Sequence, residues 1–184
     1  PPRCPGCGAS VPVQGEWCDT CTAGIFHFRM IDGSRRSLGL DGCYALADYT
    51  GAVRRALSRL KYNGKVHYGP AFHYMLERFP WPERIATCDL VVPAPLYPLK
   101  EKKRGVNQND IIFRPWAESH RLKWAEALQR VRPTASQYSL DREERRENIQ
   151  RAFAIKSSFC HVQGHILLVE QRCLGLIQYW KRCA

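Results

Sequence analysis

Cys4, Cys7, Cys18 and Cys21 stand as two C-x-x-C steps with ten residues between them. Each pair at that spacing can close a knuckle with both sulfurs turned to one ion, and two facing knuckles supply four ligands at tetrahedral corners. Four thiolates fill the shell of Zn2+ and leave no position for water, so the expected zinc ion is structural. A redox C-x-x-C of the thioredoxin kind would follow a strand and open a helix, whereas Cys4-Pro5-Gly6-Cys7 lies among Pro and Gly. The nine cysteines are odd in number, which suits a metal site in a reducing compartment better than a disulfide framework. Cys43, Cys88, Cys160, Cys173 and Cys183 are read as free thiols, mostly buried.

A second concentration of chemistry is basic. Lys100, Lys102, Lys103 and Arg104 crowd residues 96–110, which read as a polar loop, and the whole chain carries a formal net charge of +11. Such a balance favours a polyanionic partner, either nucleic acid or a phosphorylated small molecule. The six histidines are scattered; none stands near a cysteine pair, and no Ser-His-Asp or Cys-His arrangement can be argued from spacing.

The elements that must position these groups are legible in outline. Residues 25–31 read as a strand, Asp32-Gly33 as a turn and Cys43–Leu46 as a second strand, together a hairpin leading from the cysteines to the body. Thr50 opens a helix to about Tyr62 with Val53, Ala56, Leu57 and Leu60 on one face, and Gly64 stops it. Residues 68–79 repeat Phe72, Met75, Leu76 and Phe79 at helical spacing before Pro80-Trp81-Pro82. Asp89-Leu90-Val91-Val92 is a β-branched run of the kind buried on both faces of a parallel sheet, and Pro93 and Pro95 take the chain out of it. Asp141 and Glu144 form a capping box for a charged helix through Gln150, Ala152–Ile155 reads as a strand, and His165–Glu170 as another. Ligands of open parallel sheets bind beyond the carboxyl ends of strands, which marks the segments after Val92 and Val169. No window approaches the roughly eighteen apolar residues of a membrane span, and nothing at Pro1-Pro2-Arg3 reads as a signal peptide, so a cytoplasmic protein is expected.

The order of motifs resembles the ComF family, whose members join an N-terminal zinc ribbon to a type I phosphoribosyltransferase-like domain. The matching stretches are C-P-G-C with C-D-T-C, L-K-Y at Leu60–Tyr62, D-L-V-V-P-A-P-L from Asp89 to Leu96, and R-G-V-N-Q from Arg104 to Gln108. They continue with R-x-R-x-T-x-x-Q from Arg130 to Gln137, R-x-x-N at Arg145 and Asn148, A-F at Ala152-Phe153, and I-L-L-V-E from Ile166 to Glu170. The resemblance implies an α/β fold in three parts: a zinc ribbon over 1–24, a connecting hairpin over 25–49, and over 50–184 a parallel sheet with flanking helices. It also implies a ligand of the phosphoribosyl pyrophosphate (PRPP) type held with Mg2+. Lys102, Lys103, Arg104 and loop N–H groups would face its pyrophosphate, Asn107 and Gln108 would orient its oxygens, and Glu170 would hold the ribose hydroxyls. Through the family's link to DNA uptake in competent bacteria, it implies single-stranded DNA or a helicase-like competence protein as a further partner.

The family pattern breaks after Glu170. Type I phosphoribosyltransferases place two adjacent acids there and then a Thr-Thr-Gly loop that binds the 5′-phosphate; this chain has Glu170-Gln171-Arg172-Cys173-Leu174-Gly175. The expectation is a domain incomplete at its C-terminal side, as in a truncated or frameshifted copy, with its transferase activity weak or lost.

Overall fold

The apolar stripe after Thr50 forms helix α2, Gly51–Tyr62, because its four inward residues recur on one face of a 3.6-residue turn. Val53, Ala56, Leu57 and Leu60 are at most 3% exposed, and the buried valine and two leucines each contribute about 1.5–3 kcal/mol. Helix α3, Gly69–Glu77, adds Phe72, Met75 and Leu76, the single turn α4, Glu83–Ala86, adds Ile85, and helix α6, Gln108–Ser119, adds Ile112, Phe113 and Trp116 to the same core. Trp17 and Ile25, next to the cysteines, belong to it too, and Trp17 Nε1 donates to the Ala71 carbonyl at 2.7 Å. The computed structural model describes residues 1–31, 40–62, 66–81, 83–86, 88–135, 140–171 and 175–181. Asp32, Gly33, Gly64, Pro82, Gln137, Arg172, Cys173, Leu174 and Cys183 of the sequence reading fall outside them.

The expected α/β class is observed. Strands β3, Leu90–Pro93, and β6, Gly164–Glu170, pair in parallel with Val91 opposite Leu167. The rest of the sheet runs antiparallel, so the sheet as a whole is mixed. Strand β7, Gly175–Lys181, returns along β6; β2, Leu40–Ala45, lies against β7; and β1, Arg29–Ile31, closes the order β1-β2-β7-β6-β3. The strand read over 25–31 forms only at its end, because Ile25 turns into the core and Phe26 packs on Phe28 and Tyr74. Gly164, with φ +130, starts β6 where the backbone N–H of His165 donates to Asp89 Oδ2 at 2.8 Å; a Cβ there would also stand 3.2 Å from Asp89 Cβ.

Residues 96–110 are not a loop. Pro98 opens helix α5, Pro98–Arg104, with its φ already helical; Gly105, at φ +76, ends it; and Asn107 caps α6 by accepting from the Asn109 N–H. The expectation of a polar loop overlooked these three terminus signals.

A second, smaller unit stands beside the parallel pair. Strands β4, Leu128–Arg130, and β5, Phe153–Ile155, pair antiparallel around helix α7, Arg142–Ile149. The capping box of α7 is present, with Asp141 N to Glu144 Oε2 at 2.8 Å and Glu144 N to Asp141 Oδ1 at 2.9 Å. At the other end of α7, Arg132 donates to the carbonyls of Glu147, Asn148 and Gln150, and Asn148 exchanges two bonds with the Ala135 backbone. The R-x-R-x-T and R-x-x-N motifs thus supply a clamp between β4 and α7. Between this unit and the face of β3 and β6 lies an apolar cavity of ≈ 350 Å³, walled by Leu90, Val92, Leu128, Phe153, Ile166 and Leu168 among others.

Candidate metal centre and ligand site

The first knuckle turns at Gly8, whose φ of +87 lets its N–H return to the Cys4 carbonyl at 2.9 Å. The next amide, Ala9 N, then reaches the Cys7 sulfur at 3.4 Å, and Cys4 N closes the turn on the Ala9 carbonyl at 2.8 Å. In the second pair Cys18 is the N-cap and Cys21 a member of one helical turn, α1, Asp19–Thr22, with Thr22 N bonded to the Cys18 carbonyl at 2.9 Å. All four sulfurs fall within 4.8 Å of one another, against edges of about 3.8 Å for a tetrahedron with 2.3 Å zinc–sulfur bonds. Cys4 and Cys21 are buried and Cys7 is exposed.

The electrostatics of the four sulfurs call for a cation. Burial opposes the Cys4 thiolate, but the N–H groups of Cys18, Cys7 and Gly6 outweigh it and bring Cys4 down to about 6. Burial, and then the sulfurs of Cys18, Cys7 and Cys4, push the Cys21 thiol up. One thiolate is welcome there and further ones are not, which is the deficit a divalent ion fills. The donor set, its spacing and its amide-to-sulfur bond fit Zn2+.

Helix α2 holds the first knuckle from behind. Arg55 Nε donates to the Gly6 carbonyl at 2.6 Å, and Arg59 Nη1 to the carbonyls of Pro5 at 2.8 Å and Cys4 at 3.2 Å. Gly6 leaves room for this approach, since a Cβ there would come 2.7 Å from Ala52 Cβ and 3.1 Å from Trp17 Cζ3. Arg55 and Arg59 lie off the apolar face of α2, and nothing in their spacing along the sequence names the carbonyls they meet. Of the other described cysteines, Cys88 is buried, Cys43 is half-buried and Cys160 is exposed, so burial is not their common state. Cys160 follows the turn Ser157–Phe159, outside the core.

The expected ligand segments follow the carboxyl end of β3 in the chain, and Glu170 closes β6 beside it. Lys102 is exposed on α5, Glu170 is half-buried at the end of β6, and the side chains of Lys103 and Arg104 are outside the described set. Asn107 and Gln108 are only 7% and 0% exposed. Asn107 Oδ1 accepts from Asn109 N at 3.1 Å, and Gln108 Nε2 donates to the Val106 carbonyl at 3.1 Å, so both carry bonds within the protein. Inside α5, Glu101 N returns to Tyr97 O and Gly105 N to Glu101 O, which takes those amides away from any pyrophosphate.

Asn109, which the sequence reading did not single out, joins the two strand ends. Its Nδ2 donates to the Ala94 carbonyl at 2.8 Å and its Oδ1 accepts from Gln171 N at 2.9 Å. Gln171, at the position where the type I phosphoribosyltransferase pattern has its second acid, is 3% exposed, and its Oε1 has no partner among the described residues. Asp110 follows in α6. Burial, and then the charges of Glu126 and Glu101, raise its carboxyl to about 6.

No family model matches this chain, and no solved structure does. It is similar to proteins named DNA utilization protein YhgH. One from Escherichia coli is 28% identical over 131 residues, which cover 68% of this chain and 56% of that protein. Another, from Salmonella typhi, is 28% identical over 132 residues, 68% of this chain and 57% of its own length. The chain thus matches somewhat more than half the length of these curated relatives.

Proposed function

We propose that this chain is a ComF-like protein of DNA use: a zinc ribbon at 1–24, a hairpin at 25–49 and a phosphoribosyltransferase-like body from 50 onward. The observation that carries the reading is the four-sulfur cluster packed into the same core as an α/β body whose parallel strands end at Pro93 and Glu170. The similarity to proteins named for DNA utilization supports the DNA part of it.

In this reading Cys4, Cys7, Cys18 and Cys21 hold a structural Zn2+. Lys102, Lys103 and Arg104 give α5 the positive charge that a PRPP-type ligand with Mg2+ would meet, and Glu170 would take its ribose hydroxyls. Affinity for that ligand is low. The residues after Glu170 offer no Thr-Thr-Gly cradle, Gln171 is turned inward, and the amides of Glu101 and Gly105 are used within the α5 turn. Calorimetric titration of the zinc-loaded protein with PRPP and Mg2+ tests this: no saturable heat is expected at micromolar concentrations, and clear micromolar binding would overturn it.

The partner of greater weight is single-stranded DNA, or a helicase-like protein that travels on it. A net charge of +11 favours the strand itself. Contacts to phosphates release counterions, so the affinity for an oligonucleotide should fall steeply with salt. A flat dependence would count against DNA and for the protein partner.

A further inference from the structure

Gly51, Arg54, Arg55, Ser58 and Arg59 follow one another at helical spacing on the side of α2 away from its core face, and line an open groove of ≈ 420 Å³. Three guanidinium groups within two turns repel one another, and none of them has a carboxylate among the ion pairs of the described residues. Arg55 and Arg59 are instead held by the neutral carbonyls of Gly6, Pro5 and Cys4, which fix their planes without cancelling their charge. Arg54 is exposed and makes no bond to the knuckle. Fixed, uncompensated guanidinium groups are pre-organised for an anion, because little side-chain freedom is left to lose when it binds.

The shape selects among anions. A small phosphate ester would be enclosed by a pocket, whereas this groove is open and runs along the helix, so it suits a chain of phosphates passing across it. Resting on the reading of the protein as a handler of DNA, we propose that the groove along this outer face of α2, beside the first knuckle that Arg55 and Arg59 hold, binds the sugar–phosphate backbone of a single DNA strand. Arg54, Arg55 and Arg59 are the phosphate contacts, and the Ser58 hydroxyl is an added donor. The carbonyls that hold Arg55 and Arg59 lie between two zinc ligands, Cys4 and Cys7, so the metal and the DNA groove form one unit: loss of the ion frees the backbone on which the arginines rest.

The test uses the zinc-loaded full chain and a fluorescein-labelled twelve-nucleotide oligo(dT), followed by anisotropy over a range of salt. Arg54→Gln removes one phosphate contact, so the slope of log affinity against log salt should fall by about 0.7. Affinity at low salt should fall about tenfold, as for one charged hydrogen bond. Lys123→Gln, which removes the same charge from an exposed site elsewhere, should leave the slope unchanged. Zinc content, measured alongside, should stay the same in all three proteins, and stripping the zinc should abolish binding. If the wild-type chain binds no oligonucleotide, the DNA reading and the groove fall together. If it binds and Arg54→Gln matches it in affinity and slope, the groove alone is wrong.

Discussion

The backbone N–H of Gln171 donates to Oδ1 of Asn109 at 2.9 Å, and the Nδ2 of the same asparagine donates to the Ala94 carbonyl at 2.8 Å. One amide thereby ties the exit of β6 to the exit of β3, with Asn109 itself 1% exposed. Glu170 and the start of α5 take their relative positions from this tie.

Asn109→Ala leaves the Ala94 carbonyl and the Gln171 N–H without a partner in the interior. Each such loss costs about 1–3 kcal/mol, so the variant should unfold in urea with about 2–4 kcal/mol less stability. Asn107→Ala loses only the cap of α6 and should cost about 1 kcal/mol. A larger loss from Asn107 than from Asn109 would show that the strand ends are held by something else.

Asp110 keeps its proton up to about pH 6 in the folded chain, above its ordinary 3.8, because its carboxyl is buried and faces Glu126 and Glu101. Between those two values the folded chain binds more protons than the unfolded one. The stabilisation is therefore fully present below the ordinary value and is lost as the pH rises through the folded one. Asp110→Asn cannot ionise, so its melting temperature should change less with pH over this range and exceed that of the wild type at neutral pH. Parallel pH profiles for the two proteins would contradict this.

Arg59 holds two carbonyls of the first knuckle and Arg54 holds none. The freshly purified wild type should carry one zinc per chain. Release to a chromogenic chelator should be about tenfold faster in Arg59→Met, given about 1.5–3 kcal/mol for hydrogen bonds to a charged group, and unchanged in Arg54→Met. Equal rates in all three proteins would mean that α2 does not buttress the metal site.

Much of the chain was legible because its signals are local. The face Val53, Ala56, Leu57 and Leu60, the capping box Asp141–Glu144 and the run into Glu170 depend on spacing within a few residues, and each formed as read. Reading residues 96–110 as a loop failed for a local reason as well: Pro98, Gly105 and Asn107 are helix boundary residues, but the lysines between them drew the eye to charge. Asn107 and Gln108 were assigned by motif to a ligand, yet the burial that gives them structural bonds depends on distant parts of the chain.

By itself the sequence determined the grouping of the four cysteines, the α/β class and the helix faces, since knuckles, periodicity and caps are written over three to ten consecutive residues. Only the tertiary structure decided what stands behind the metal site and between the strands. Arg55 meets Gly6 across 49 positions and Gln171 meets Asn109 across 62. Contacts over such separations are fixed by how the helices and the sheet pack around one core, and side-chain pattern carries no record of them.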